Sequence, residues 1–349
     1  MMKRRNILYI YTALFAMLSI AMASAQPVRR VRNGIIVVGR NDSVRAIEPF
    51  GGTHGNEKAY ADAVNLYQRE FPAARVYCMV IPNSAAYYCP ETAAMWTRPQ
   101  HPAIRSIYQH LSDPVKAIDV YSVLEQHTTE PIYLRTDHHW SPLGAYYAAQ
   151  HFAQVADVPF LDFSQYESRV VRDFVGSMYR FSRDISVKQS PEEFVYYIPN
   201  GVEYTTVTTP YTLTADRKSV LRAGSAATCD FFHSYDDGSA AAYCTFMGGD
   251  TNTTSITTSV RNGRRLMILK DSYGNALPAY LLGSFEEIHV VDCRYFTLDI
   301  RTFVQQKGIT DILFANNILH ASMLKTPQSY EKYLGQQFVF RQPVKRRRR

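Results

Sequence analysis

The sequence lacks several patterns that would assign it to a simple class. Its five cysteines include no Cys-x-x-Cys pair, so a structural zinc site has no support. Beyond the first 25 residues, no apolar run is long enough to span a bilayer. There is no internal repeat, and low-complexity sequence is confined to the basic end. What remains is an ordinary globular composition, 46% hydrophobic and 20% charged, in a chain long enough for one large domain or two small ones.

The excess of positive charge lies at the two ends of the chain. The formal net charge is +7, but eight of the 38 Lys and Arg residues fall in segments 3–5 and 345–349. The body between them is close to neutral, which argues against an extended nucleic-acid surface, and we expect no nucleic-acid partner. The basic tail, residues 345–349, is expected to be solvated, with contact to anionic lipid headgroups or acidic glycans as the alternative.

Residues 1–25 have the pattern of a secretory signal peptide. Residues 3–5 are basic, residues 7–22 are apolar, and small residues at 23–25 precede an expected cleavage before Gln26. No Cys follows this leader, which argues against a lipoprotein anchor. We therefore expect an exported protein, periplasmic or extracellular after cleavage.

Export leaves two interpretations of the cysteines. Cys78 and Cys89 are close in sequence, as are Cys229 and Cys244, and an oxidising compartment would allow each pair to form a disulfide. Cys293 would then be unpaired. The alternative is that some or all of the five are small, buried apolar residues.

Strand and helix patterns alternate over much of the chain. The β-branched run at 34–39 predicts a buried strand, residues 60–71 predict an amphipathic helix, and residues 75–81 predict the next strand. After residue 264 the alternation returns, with a strand ending just before Ser272 and another ending at Asn316. This order favours an α/β fold with a mostly parallel sheet and helices on its faces.

The region between about 164 and 250 has a different composition. Thr, Tyr and Val are frequent and alternate with polar residues, and Gly and Pro mark turns. This pattern predicts a β-rich insertion that covers one edge of the α/β domain.

The stretch from Thr136 to Pro142 concentrates an acid, two imidazoles and an indole directly before a helix. Ser141 is predicted to cap that helix and Pro142 to be its first residue. Asp137 and His139 therefore lie two residues apart on a turn between fixed elements, where both side chains can point the same way. Trp140 is expected to orient the turn by packing.

Three polar groups follow predicted strands: the Asp137–His139 turn, Ser272, and the pair Asn316–Asn317. The carboxyl ends of parallel strands share one edge of a sheet, so these groups are expected to meet. His139 would be the base that activates Ser272, and Asp137 would orient the imidazole. The Ser272 N–H and an Asn side chain would stabilise the oxyanion.

Each of these residues also has a purely structural interpretation. Ser272 alone is typical of a helix cap, His139 of a structural histidine, and the two asparagines of strand-end turns. A mononuclear metal site at His138, His139 and His151 is a further alternative, but no His-Glu-x-x-His spacing supports it, and we expect no metal or other cofactor.

Two motifs carry a family resemblance. Thr-Asp-His-His-Trp-Ser-Pro-Leu-Gly-Ala-Tyr-Tyr at 136–147 and Lys-Asp-Ser-Tyr-Gly-Asn-Ala at 270–276 resemble the bacterial DHHW protein family. That family resembles the alginate O-acetyltransferase-like branch of the SGNH hydrolases. The resemblance implies an SGNH-like three-layer sandwich over residues 26–344. It also implies a triad of Asp137, His139 and Ser272.

The resemblance is less specific about the remaining site residues. His138 occupies the unspecified position between the acid and the base, where it would be a neighbour or a substrate contact. Asn316 is the expected oxyanion residue, but the Gly-x-Asn-Asp sequence of SGNH enzymes is absent. Asn275 and Arg294 are therefore rival candidates.

We expect an exported serine O-acyltransferase or esterase, one that moves acetyl groups on a cell-envelope or extracellular polysaccharide. A membrane partner would supply acyl groups in the transferase case. Transfer and hydrolysis use the same residues, so the sequence does not separate them. The alternative from another class is a non-catalytic, glycan-binding envelope protein on an SGNH-like scaffold.

Overall fold

The computed structural model describes residues 27–216 and 219–336, so the expected signal peptide (1–25) and basic tail (345–349) lie outside the described residues. The strands are β1 (Val28–Arg30), β2 (Ile36–Val38), β3 (Arg45–Ile47), β4 (Arg75–Ile81), β5 (Lys116–Ala117), β6 (Tyr166–Phe174), β7 (Glu192–Pro199), β8 (Tyr204–Leu213), β9 (Val220–Ala223), β10 (Ala227–Cys229), β11 (Asn252–Thr258), β12 (Arg265–Lys270), β13 (Glu287–Asp292) and β14 (Asp311–Asn317).

The helices alternate with these strands through much of the chain. They are α1 (Glu57–Glu70), α2 (Ala85–Tyr88), α3 (His101–Gln109), α4 (Val120–Glu125), α5 (Pro142–Ala156), α6 (Ser177–Ser182), α7 (Ile185–Lys188), α8 (Leu277–Leu281), α9 (Ile300–Lys307), α10 (Ile318–Ala321) and α11 (Lys325–Tyr333). Within the two described ranges, every helix is too short or too polar to cross a membrane.

The central sheet has nine strands and is mixed. Its order is β10-β8-β11-β13-β12-β14-β4-β5, with β9 also paired to β8. The five strands β13, β12, β14, β4 and β5 pair in parallel. The strands β8, β9, β10 and β11 pair with one another antiparallel, and β11 is also antiparallel to β13. The α/β class is confirmed, but the expected mostly parallel sheet is wrong. The reason is that strands of the β-rich region extend the same sheet, and short returning connections such as β8 to β9 allow only antiparallel pairing.

Helices cover both faces of the parallel strands, which gives three layers. Along β4, Tyr77, Met79 and Ile81 face one apolar cluster with α4, α5 and α8. The alternate residues Val76, Cys78 and Val80 face a second cluster with α1, α3, α9 and α11. Both faces of β4 are buried, which explains why this strand is a continuous apolar run in the sequence.

The predicted strand at 34–39 belongs to a different sheet from the one expected. It forms β2 in a three-stranded antiparallel sheet with β1 and β3. Gly34 and Gly39 have φ of 76° and 91°, which reverse the chain at both ends of β2. Ile36 and Val37 are both buried, in clusters on opposite faces. An apolar strand buried on both sides therefore looks parallel in sequence even where the pairing is antiparallel.

The five cysteines are all free thiols in the structure. Cys78 and Cys293 are buried in the apolar cluster on the α1 side of the sheet, and burial raises the pKa of both thiols. For these two residues the structure agrees with the interpretation as small apolar side chains.

Candidate active site

Ser272 lies at the carboxyl edge of the central sheet, directly after β12. It begins a 3₁₀ turn, Ser272–Ala276, which leads into α8. The buried carboxylate of Asp271 fixes this turn, since it accepts hydrogen bonds from the N–H groups of Tyr273 (2.9 Å) and Asn317 (2.7 Å). As the first residue of the turn, Ser272 has a backbone N–H with no acceptor inside the helix. Its side chain is half-buried.

The Asp137–His139 turn is held between β3 and α5. The strand expected before the turn is absent, since residues 131–134 make only an isolated bridge between Tyr133 and Trp140. The Ala46 N–H donates to the Arg135 carbonyl at 2.9 Å, which joins the turn's entry to β3. At its exit, the Ser141 hydroxyl caps α5 by accepting from the Gly144 N–H at 3.2 Å. The predicted helix start at Ser141 and Pro142 is confirmed.

Besides the contact between His139 and Ser272, two hydrogen bonds join this turn to the Ser272 turn. The Trp140 indole N–H donates to the Tyr273 carbonyl at 2.9 Å, and the Tyr273 hydroxyl donates to the His138 carbonyl. Trp140 is fully buried, so it orients the turn as expected. Since 133 residues separate Trp140 from Tyr273, only the fold brings these two segments together.

Asp137, His139 and Ser272 form a continuous hydrogen-bonded chain. The His139 Nε2 atom lies 2.8 Å from the Ser272 Oγ atom, and the His139 Nδ1 atom lies 2.6 Å from an Asp137 carboxylate oxygen. An ionised carboxylate only accepts, so it selects the tautomer with the proton on Nδ1. Nε2 is then free to accept the serine proton. Asp137 and His139 are only 4% and 7% exposed, which keeps water from competing for this bond.

The structure keeps Asp137 ionised despite its burial. Burial alone would raise the pKa of Asp137, but His139, His138 and a hydrogen bond from the Ser177 N–H (2.7 Å) lower it well below its ordinary value. Gly176 makes this close approach feasible. A Cβ atom at position 176 would lie 2.4 Å from the Asp137 carboxylate.

His138 lies beside the chain rather than in it. Its ring centroid is 3.8 Å from that of His139, and its Nδ1 atom is 2.5 Å from the Ser177 Oγ atom. Burial, followed by the neighbouring His139, lowers the pKa of His138 to about 3. A neutral imidazole with 21% of its side chain exposed fits the expected neighbouring position, and a contact to substrate remains a prediction.

The three candidate oxyanion residues are held by other partners. The Asn316 side-chain oxygen accepts from the hydroxyls of Tyr60 (2.7 Å) and Tyr330 (2.6 Å) in the core. The Asn275 amide donates to Asp250 at 2.8 Å, and Arg294 pairs with Asp292 and Asp250. Across the described ranges, no hydrogen bond joins Asn316, Asn275 or Arg294 to Ser272.

Sequence reasoning missed a charged cluster next to Ser272. Lys270 lies 2.9 Å from Asp292 and 3.5 Å from Asp250, and Arg294 contacts the same two carboxylates. Two cations and two anions balance there, which is what burial of Lys270 and Asp292 requires. Asp292 is the last residue of the apolar strand β13, but nothing in the local pattern pairs it with Lys270.

The supports of the Asp137–His139 turn were also missed. The Glu192 carboxylate accepts from the N–H groups of Arg135 (2.8 Å) and Thr136 (2.6 Å). The Tyr243 ring stacks on the His139 imidazole. Glu192 and Tyr243 come from the β-rich region, as do Gly176 and Ser177, where single residues carry no motif.

Among the residues that the structure describes, only the Asp137–His139 turn brings three possible metal-binding side chains together. Asp137, His138 and His139 each offer one ligand atom, and these atoms lie within 4.8 Å of one another. Both Nδ1 atoms are already engaged, with Asp137 and with the Ser177 hydroxyl. A metal ion bound through either ring nitrogen of His139 would displace a hydrogen bond that aligns this residue, with Asp137 or with Ser272.

Fold and site together define an α/β protein with a Ser–His–Asp chain at the carboxyl edge of its sheet. The protein family described as DHHW protein matches residues 35–291. A crystal structure of a DHHW family protein from Eubacterium siraeum DSM 15702 is 36% identical, covers 90% of this chain and 100% of that chain, and has a TM-score of 0.79. The chain belongs to the DHHW family, as its two motifs predict.

One more distant structure shares the fold. Bacillus cereus PatB1 is 19% identical, with 83% of this chain and 99% of that chain covered and a TM-score of 0.65, and PatB1 has also been solved with a sulfonyl adduct. The O-acetyltransferase domain of Pseudomonas putida AlgJ is 14% identical, with 88% and 99% covered and a TM-score of 0.46. A comparison with curated proteins gave no significant match.

Proposed function

We propose that this protein is an exported serine O-acyltransferase or esterase that moves acetyl groups to or from a cell-envelope or extracellular polysaccharide. The observation that carries the proposal is the hydrogen-bonded chain from Asp137 through His139 to Ser272. These are the three groups, in the required order, that make a serine hydroxyl nucleophilic at neutral pH.

In the first half of the reaction, the Ser272 Oγ atom attacks the carbonyl carbon of an acyl ester. Its proton passes to the His139 Nε2 atom, and Asp137 stabilises the imidazolium that results. The Ser272 N–H, at the start of its 3₁₀ turn, donates to the oxyanion. The tetrahedral intermediate collapses when His139 returns the proton to the leaving alkoxide, which leaves an acyl-serine.

In the second half, a hydroxyl group resolves the acyl-serine. His139 takes the proton of the attacking hydroxyl, the new ester or acid forms, and Ser272 regains its proton. A sugar hydroxyl gives transfer and water gives hydrolysis. The partner in either case is an acylated glycan, and a membrane protein that supplies the acyl group belongs to the transferase form of the proposal.

Several further assignments depend on the same proposal. The SGNH-like domain is assigned to residues 26–344, and the pattern of residues 1–25 supports export to the periplasm or the cell exterior. Asn316, Asn275 and Arg294 all have other partners. A second donor to the oxyanion would therefore require a side chain to rearrange when substrate binds.

A sulfonyl fluoride probe tests the proposal directly, and the PatB1 structure with a sulfonyl adduct motivates this choice. We expect purified protein to gain one sulfonyl group, located at Ser272 by peptide mass spectrometry, and Ser272→Ala and His139→Asn to prevent labelling. Acetyl-ester turnover should fall in the same two variants. Labelling at another serine, or turnover that is unchanged in Ser272→Ala, would refute the site. Glycan binding without labelling or turnover would indicate the non-catalytic alternative.

A further inference from the structure

A buried tyrosine lies flat against the catalytic imidazole. The ring centroids of Tyr243 and His139 are 3.8 Å apart and the ring planes differ by only 4°. Tyr243 belongs to a 3₁₀ turn, Ala242–Thr245, and is 5% exposed. Its hydroxyl donates to the Tyr273 carbonyl at 3.1 Å, the oxygen that also accepts from Trp140. The 3₁₀ turn therefore fixes the ring at its backbone end, and the bond to Tyr273 fixes it at its hydroxyl end.

Other ionisable groups also act on His139. The Asp137 carboxylate contacts its Nδ1 atom, and the ring of His138 is tilted by 37° against it at 3.8 Å. Tyr273 approaches edge-on at 5.1 Å. Burial raises the pKa of Glu48, and His139 offsets part of that rise. Burial also opposes the lowered pKa of Asp250, which Lys270, Arg294 and, to a smaller extent, His139 bring about. Tyr243 differs from all of these because it presents an aromatic face in parallel to the imidazole.

That face favours one protonation state of His139. The face of an aromatic ring carries the negative part of its quadrupole, so it attracts a cation more strongly than a neutral ring. The effect grows where water is excluded, and Tyr243 and His139 are both buried. Burial also raises the pKa of Tyr243 well above its ordinary value, so the phenol stays neutral throughout the working range.

We propose that Tyr243 is a positioning residue that holds His139 in line with Ser272 and stabilises the imidazolium formed in each half of the reaction. This inference rests on the proposed function. An interaction that strengthens only when the imidazole gains its proton lowers the barrier without tightening substrate binding. The β-rich region thus contributes to catalysis by supporting the base, through Tyr243, and the acid, through Ser177.

The test changes the electrostatics of the ring while keeping its shape. Phenylalanine and progressively fluorinated phenylalanines are placed at position 243 by nonsense suppression, since fluorination weakens and then reverses the quadrupole. With Tyr243→Phe as the reference, we expect kcat to fall by about threefold to tenfold across the series. KM should change little, and the acid limb of the pH–activity profile should move to lower pH. Equal kcat and equal profiles across the series would overturn the inference, because a purely structural ring would be insensitive to fluorine.

A second measurement separates failure of this inference from failure of the proposed function. If wild-type protein shows neither turnover nor labelling at Ser272, the acyl chemistry is wrong. NMR titration of the His139 ring protons then decides the stacking on its own. A titration that moves to lower pH with fluorination supports the role of Tyr243, and one that does not move refutes it. The lightly fluorinated variants keep this test available if the fully fluorinated chain does not fold.

Discussion

Residues 27–216 and 219–336 contain two hydrogen-bonded chains of serine, histidine and carboxylate, and only one of them is suited to catalysis. The first is Ser272–His139–Asp137. The second lies in the antiparallel part of the sheet, where the Ser255 Oγ atom is 2.9 Å from the His289 Nδ1 atom and a Glu287 oxygen is 3.1 Å from Nε2. This second chain even borders a cavity of about 620 Å³.

The two chains differ in the backbone around the serine, and the histidine of the second chain has a lowered pKa. Ser255 is in the middle of β11, which pairs with β8 and β13, so the ladders on both sides use the main-chain groups of this strand. Ser272 begins a turn, which leaves a donor for an oxyanion. Burial, then Lys307 and Arg265, lowers the pKa of His289 to about 3, so His289 is a poor proton acceptor at neutral pH. The hydrogen bonds among Ser255, His289 and Glu287 are explained by the need to satisfy polar side chains that are buried or partly buried.

The largest expected difference between the two chains is in the serines. Ser272→Ala should reduce acetyl-ester turnover by about 10⁴- to 10⁶-fold, because it removes the nucleophile. Ser255→Ala, the matched variant, should stay within about twofold of wild type. Steady-state rates on a chromogenic acetyl ester measure both. Comparable losses of turnover in the two variants would contradict the assignment of Ser272, rather than Ser255, as the nucleophile.

The carboxylates should differ less. Asp137→Asn should lower kcat by about 10³- to 10⁴-fold, because the amide no longer selects the Nδ1-protonated tautomer of His139. Glu287→Gln should leave kcat nearly unchanged. Stopped-assay rates at neutral pH, with circular dichroism to verify folding, provide the measurement. A wild-type kcat in Asp137→Asn would argue against any role for the carboxylate.

Gly176 tests how closely the β-rich region supports the acid. Gly176→Ala should lower kcat by about 10- to 100-fold, because the new methyl group collides with Asp137. It should also lower the free energy of unfolding by about 1–3 kcal/mol. Gly51→Ala is the matched control, since no atom lies within 4 Å of its Cβ position and its φ is not in the left-handed region. Urea unfolding and kcat are measured on both, and equal behaviour would show that the site can relax.

The last difference concerns the pH dependence of stability rather than activity. His289 binds its proton in the unfolded chain at about pH 6.5 but in the folded protein only near pH 3, so the unfolded state carries more protons in that interval. Wild-type stability should therefore fall as the pH decreases from about 6.5 to 3. In His289→Asn this fall should be shallower by up to about 1.4 kcal/mol per pH unit. Urea unfolding at a series of pH values gives the slopes, and identical slopes would contradict the prediction. His138 contributes a similar slope in both proteins.

Much of the fold and the centre of the candidate site could be predicted because their signals are local. Apolar runs predicted β4 and β14, and the Ser141–Pro142 pair predicted the start of α5. The family resemblance predicted that Ser272 meets the Asp137–His139 turn. The expectation from strand ends holds for Ser272 but was wrong for the turn, because residues 131–134 form no strand of the sheet. The sheet of β2 was predicted wrongly, because an apolar run does not report its pairing partner.

By itself, the sequence determined where the elements begin and which residues carry reactive groups, since caps, turns and burial patterns act over a few neighbouring residues. Only the tertiary structure decided what surrounds those groups. Tyr243 lies on His139, Ser177 donates to Asp137, and Asn316 is held by two tyrosine hydroxyls away from Ser272. Such contacts join segments far apart in the chain, and they depend on the packing of whole layers, for which no short pattern exists.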